Sequence, residues 1–169
     1  MPLCETIYDL RLQAAILRRR PYGVIVVENS RLRAIHLRPW PKIFSAPDLV
    51  GAGRGFDRRA AGDRCWLYYN QPCWHRRFLA LKFVVSSREA TFGTFRNTLI
   101  VLDEIARIKN TDAILADVRN LRISDRLLRR WGWESHMPSS RRRHFIKRFY
   151  GTYPDPCNAW SLMCGTANK

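Results

Sequence analysis

The run Phe78-Leu79-Ala80-Leu81-Lys82-Phe83-Val84-Val85 constrains this chain more than any other stretch. It is apolar almost throughout and ends in Ser86-Ser87-Arg88, so it reads as a strand buried on both faces. A turn, Glu89 to Thr94, then opens a helix. In it Phe95, Leu99, Leu102 and Ile105 form an apolar stripe that Ile100, Val101 and Ile108 widen. Lys109-Asn110-Thr111 stops the helix, with a cation suited to the negative end of its dipole. A second apolar run, Ala113 to Val118, predicts another strand. Asn120 then stands where a helix cap belongs, ahead of Ile123, Leu127 and Trp131, and Gly132 ends that helix. Strand, helix, strand, helix in this order predicts a βαβα unit, its strands parallel neighbours joined by a right-handed crossover.

The flanking segments predict what surrounds this unit. Ile7, Leu10, Ala14 and Leu17 have the spacing of an amphipathic helix closed by Pro21. Arg18-Arg19-Arg20 in its last turn suits the helix dipole better than a phosphate contact. Gly23 to Glu28 and Arg31 to Leu37, around Asn29-Ser30, predict a hairpin. Leu32, Ala34 and Ile35 compete for its inner face, and His36 reads as a strand surface residue rather than a base. Prolines and glycines break residues 39–64, a connection longer than compact domains use, so it is a functional loop or a poorly ordered one. Its Gly51-Ala52-Gly53-Arg54-Gly55 string is a weak phosphate fingerprint, with no strand before it and no helix after it. Cys65 to Asn70 pairs with the central strand as a second hairpin. Its aromatics beside Arg76 and Arg77 suit core packing better than stacking on bases. A basic loop, Ser139 to Arg143, precedes a last strand from His144 to Tyr150. The fold class expected is α/β (α+β), one domain over 1–155. It is a mixed, twisted sheet with N-terminal antiparallel hairpins and a central parallel βαβα unit. A loosely packed tail follows at 156–169, in which Trp160, Leu162 and Met163 are able to dock.

A strand that runs into a turn and a helix N-terminus is a natural anion site, because unpaired amides and the dipole both favour negative charge. Ligands of open α/β sheets sit at the carboxyl ends of parallel strands. The residues after Val85 and after Val118 therefore face one crevice, where Arg88 pairs with phosphate and Gly93 and Thr94 offer backbone donors. Lysine and arginine number 30 against 14 acids in 169 residues, a net charge of +16, which favours polyanionic partners or simply makes a basic surface. Arg122, Arg126, Arg129 and Arg130 fall on one helical face. That face is either a stripe for nucleic acid or another polyanion, or the solvated side of an amphipathic helix. The cysteines at 4, 65, 73, 157 and 164 form no C-x-x-C pair, so no metal site is expected and the thiols should be reduced and mostly buried. No apolar run approaches a membrane span and no signal-peptide pattern opens the chain, so a soluble cytoplasmic protein with no membrane partner is expected.

The order helix, hairpin, long strand, turn, helix, strand, helix, strand resembles the GNAT superfamily of acyl-CoA-dependent N-acyltransferases, over roughly residues 64 to 150. That family binds the coenzyme A pyrophosphate with an R-x-x-G-x-[GA] loop. Arg88-Glu89-Ala90-Thr91-Phe92-Gly93 is similar to it, with Thr91 in place of the middle glycine. The segment from Asn120 to Trp133 looks like the family's fifth-strand Asn, fourth helix and Gly-aromatic end, one residue longer than usual. The resemblance implies acetyl-CoA or another acyl-CoA as cofactor and an amine as acceptor. Val84 and Val85 would contact the pantetheine arm, Arg88, Gly93 and Thr94 the pyrophosphate, and Asn120 would sit in the crevice. Leu128 replaces the tyrosine that often serves as general acid, and the central strand carries no carboxylate to act as base. Tyr68, Tyr69 and His75 are the alternatives for proton transfer. The other function considered is a catalytically inactive protein of the same fold, binding nucleic acid or another polyanion through the arginine face.

Overall fold

The computed structural model describes residues 4–40, 61–118, 123–136 and 143–163. Asn29 and Ser30 both have positive φ, 49° and 61°. A two-residue turn of that kind matches the twist of antiparallel strands, so β2 (Tyr22–Glu28) and β3 (Arg31–Arg38) fold straight back on each other. A bulge settles the competition within β3. Val26 faces Ala34 but Val27 faces Leu32, which leaves Arg33 as the extra residue. The alternation shifts by one there, placing Leu32 and Ile35 on one face and Ala34 on the other, all three buried.

β4 (Arg64–Asn70) runs antiparallel to β2, and β5 (Phe78–Ser86) antiparallel to β4. The chain then crosses through α2 (Phe92–Ile108) to β6 (Ala113–Asp117), which lies parallel to β5. With β1 (Glu5–Ile7), β7 (Glu134–Ser135) and β8 (His144–Arg148) the sheet has, among the described residues, eight strands in the order β1-β3-β2-β4-β5-β6-β8-β7. α1 (Ala14–Arg19), α2, α3 (Asp125–Arg130) and α4 (Cys157–Trp160) contribute Leu17, Leu102, Leu128 and Ala159 to one core cluster with Ile25, Leu67, Tyr69, Leu79 and Ile114 of the sheet. Tyr69 fits only because Gly23 lies opposite it on β2, where a Cβ would stand 2.5 Å from the phenol oxygen. The expected mixed sheet, with antiparallel hairpins and a central parallel βαβα unit, is the architecture found.

Several expectations are corrected. The apolar spacing from Ile7 is not one helix, since Ile7 pairs with Ile35 as edge strand β1 and only Ala14–Arg19 is helical. Asp9 Oδ1 accepts from the amides of Arg11 (2.7 Å) and Leu12 (3.2 Å), and Gln13 Oε1 from that of Tyr8 (3.0 Å). These local bonds hold a turn open to the helix's alternative. Arg18 does serve a helix C-terminus, but that of α2, donating from Nε to the Ile108 carbonyl at 2.9 Å. The second helix of the βαβα unit is capped by Ser124, whose hydroxyl accepts from Leu127 N at 3.2 Å. Asn120 and Arg122 lie outside the described residues. The last strand stops at Arg148, and Tyr150 and Gly151 follow with φ of 47° and 88°.

The segment after 156 is not loose as far as Met163. Trp160 Nε1 donates to Glu104 Oε1 at 3.2 Å, Leu32 N to the Leu162 carbonyl at 3.2 Å, and Leu10 N to Met163 Sδ at 3.3 Å. Of the described cysteines only Cys65 is buried, while Cys4, Cys73 and Cys157 are exposed free thiols, contrary to the expectation of mostly buried ones. Among the described residues no cluster of His, Cys, Asp and Glu is arranged to hold a metal, and no helix is long and apolar enough to cross a membrane.

Candidate functional site

β5 and β6 stay paired only from Phe78↔Ala113 to Leu81↔Ala116, and beyond that point each strand follows its outer neighbour. β5 continues on β4 as far as Ser86↔Cys65, and Ser87 N donates to the Arg64 carbonyl at 2.9 Å. β6 continues on β8 through Asp117↔His144, and Val118 N donates to the Arg143 carbonyl at 2.9 Å. The parting coincides with a bulge, because Tyr69 faces Leu81 and Tyr68 faces Phe83, which makes Lys82 the extra residue. A bulge bends its strand and raises its local twist. Among the described residues, Lys82 to Ser86 of β5 therefore have no partner strand on the β6 side, and such an edge is able to pair with an extended chain. Val84 and Val85 lie on this open segment, Val84 packed against the core and Val85 opposite Trp66 on the other face.

The N-terminus of α2 stands at the end of that edge. Thr91 caps it with extended backbone (φ −81°, ψ 158°), and its Oγ1 accepts from Thr94 N at 3.1 Å. Asp63 occupies the same helix end. Its Oδ1 accepts from Thr91 N at 2.8 Å, and its Oδ2 from the hydroxyls of Thr91 at 3.0 Å and Thr94 at 2.6 Å. Burial works against ionisation of this carboxyl. The Thr94 hydroxyl and the amide and hydroxyl of Thr91 outweigh burial and hold its pKa below the ordinary value. The helix dipole favours the same ionised form. The network reaches the β2–β3 turn, where Ser30 N donates to Thr94 Oγ1 at 3.0 Å and Asn97 Nδ2 to the Ser30 carbonyl at 2.9 Å.

Thr94, expected to offer its amide to a phosphate, is instead fully buried with both amide and hydroxyl engaged inside the chain. Ala90 N is also engaged, on the Ser87 carbonyl at 3.2 Å. The amides of Phe92 and Gly93 have no partner among the described residues. Phe92 is 62% exposed. Arg88 and Arg96 are exposed and have no acidic partner among the described residues.

The arginine face lies beside this mouth. Trp131, just after α3, packs with its ring centroid 5.7 Å from that of Phe95 in the first turn of α2, and Leu128 is buried in the core. Arg126, Arg129 and Arg130 are exposed without an acidic partner among the described residues. Asp125, the acid of the same helix, is bonded to Arg143. The structure thus joins the first turn of α2 to the end of α3 through Phe95 and Trp131, two helices that the sequence presents as separate features.

Of the three proton-transfer alternatives, Tyr69 is enclosed in the core, where burial pushes its phenol far up. His75 precedes β5, at the opposite end of that strand from the fork. Tyr68 is half-buried opposite Phe83 of the open segment. Burial raises its pKa, and Arg38 partly offsets this. Sequence reasoning missed two acids. Asp63 ends a stretch read as irregular, and no spacing connects it to Thr91 and Thr94, which it meets only through the fold. Asp117 carried a signal, as the charged residue within the apolar run Ala113 to Val118. It closes β6 at the fork with His144 as its register partner.

No family model matches the chain, and the search of curated proteins returns no match. Among solved structures, the chain is similar to a nourseothricin acetyltransferase at 15% identity and a TM-score of 0.43, over 87% of this chain and 99% of that one. At that level of likeness the functional reading rests on the fork in the sheet.

Proposed function

We propose that this chain transfers an acyl group from a pantetheine thioester to an amine. The observation that carries the reading is the open β5 edge, Lys82 to Ser86, ending at a helix N-terminus. The amides of a pantetheine arm pair with such an edge as an added strand does, with Val84 and Val85 lining its path. Arg88 and the free amide of Gly93, with that of Phe92, take the phosphate end. Asn120, through the resemblance, belongs to the same crevice. The amine nitrogen attacks the thioester carbonyl, the C–N bond forms, the C–S bond breaks, and the thiolate leaves with a proton. Asp117 and His144 at the fork are the groups suited to take the proton from the amine, and Tyr68 to return one to the sulfur. Acetyl-CoA is the simplest donor of this class. Exposed free thiols at Cys4, Cys73 and Cys157 suit a reducing compartment, so the cytoplasm is the proposed location.

Thermal unfolding with acetyl-CoA and with S-acetyl-4′-phosphopantetheine tests the reading. Ligand at one hundred times its Kd adds about 2.7 kcal/mol, a rise of several degrees. A flat Tm with both compounds at millimolar concentration would sink it.

A second reading, a catalytically inert domain binding nucleic acid or another polyanion, is favoured by the unpaired state of Arg126, Arg129 and Arg130 among the described residues. Heparin retention with a steep salt slope, weakened by Arg126→Ala and not by Arg88→Ala, would support it.

A further inference from the structure

We propose that the acyl donor reaches the fork on the phosphopantetheine arm of an acidic carrier protein docked on the arginine face, rather than as free acyl-CoA. This rests on the acyltransferase reading of the fork and narrows its donor.

The helix end that would receive the coenzyme's phosphates already holds a negative charge. Asp63 takes the Thr91 amide and the hydroxyls of Thr91 and Thr94. Coenzyme A would bring a pyrophosphate and a further ribose phosphate to this turn, several charges beside a carboxylate that cannot leave without stranding its donors. The two amides of this turn that have no partner among the described residues, Phe92 and Gly93, match a smaller demand. A carrier-borne arm ends in a single phosphodiester.

The cations around the mouth point to a larger partner. At the mouth Arg88, Arg96, Arg126, Arg129 and Arg130 are exposed, and none has an acidic partner among the described residues. They span the first turn of α2 and the face of α3, which meet through Phe95 and Trp131. An acidic helix laid across the two elements would supply the carboxylates that these arginines lack among the described residues. Phe92, 62% exposed and one turn before Arg96, adds an aromatic anchor among arginines. That combination favours a protein surface over a phosphate backbone.

The test measures binding of the full chain to an acyl carrier protein of fatty-acid synthesis. Its arm bears an octanoyl group through a non-hydrolysable amide. Octanoyl-CoA, S-octanoylpantetheine and the carrier without its arm are the comparisons. The loaded carrier should bind at least about tenfold more tightly than octanoyl-CoA at low salt, with the difference shrinking as salt rises. Replacing Arg126, Arg129 and Arg130 together by alanine should remove that difference. Asp63→Asn, which drops the charge but keeps an acceptor for Thr91, should tighten octanoyl-CoA several-fold; no gain would overturn the occlusion by Asp63. Octanoyl-CoA binding as tightly as the carrier overturns the carrier assignment and leaves the transferase reading standing. If none of the pantetheine probes binds, the transferase reading falls and this one with it. An armless carrier that binds as well as the loaded one, or a single-stranded oligonucleotide that displaces the carrier from the arginines, also overturns the proposal.

Discussion

Thr91 stands where the resemblance to the acyltransferases expects a glycine, and the structure supplies a physical reason for the side chain. Its hydroxyl caps α2 through Thr94 N and donates to Asp63. Thr91→Ala should lower stability by about 1 kcal/mol, read from urea unfolding. A change near zero would mean that Asp63 holds the helix end alone. At the other end of α2, Lys109 is half-buried and donates to the Arg20 carbonyl at 2.8 Å and Gln71 Oε1 at 3.1 Å. Burial lowers its pKa from 10.5 to about 8. Between those values the unfolded chain binds the extra proton, so this lysine's contribution to stability rises with pH. It is complete above about 10.5 and lost as pH falls through about 8. Lys109→Met should flatten that part of the Tm profile. Identical slopes in the two proteins would show that Lys109 does not titrate there.

Between α2 and β8, Lys147 Nζ meets Asp103 Oδ2 at 2.6 Å in a largely buried pair. Burial pushes the Asp103 carboxyl up to about 6 even though the ammonium beside it pulls the other way. Asp103→Leu alone strands a buried ammonium and should cost about 3–5 kcal/mol in urea unfolding. Adding Lys147→Met should restore most of that stability, since an apolar pair carries no desolvation penalty. A double variant as unstable as the single one would contradict this. The same scale shows why some elements were legible and others not. α2 and β5 are long enough for their periodicity to identify them. β1 was not legible, because Ile7, Leu10, Ala14 and Leu17 suit a helix and equally a strand followed by a turn, and the choice is made by pairing with Ile35.

Over the whole molecule the net charge of +16 leaves many cations without an acid: Arg88, Arg96, Arg126, Arg129 and Arg130 around the fork and, away from it, Arg18, Arg19 and Arg76 are all exposed without an acidic partner among the described residues. On a polyanion column, replacing Arg126, Arg129 and Arg130 together by alanine should reduce the salt slope by up to about 0.9 for each phosphate that the arginines had neutralised. An unchanged slope would remove that face from any anion-binding role. The sequence by itself determined the βαβα unit, the first hairpin and the arginine face. All three are local, set by periodicity, by a two-residue turn and by helical spacing. Only the tertiary structure decided that β5 and β6 part at Lys82 and that Asp63 fills the end of α2. Both depend on which distant strand or loop each segment pairs with, and no spacing along the chain encodes that choice.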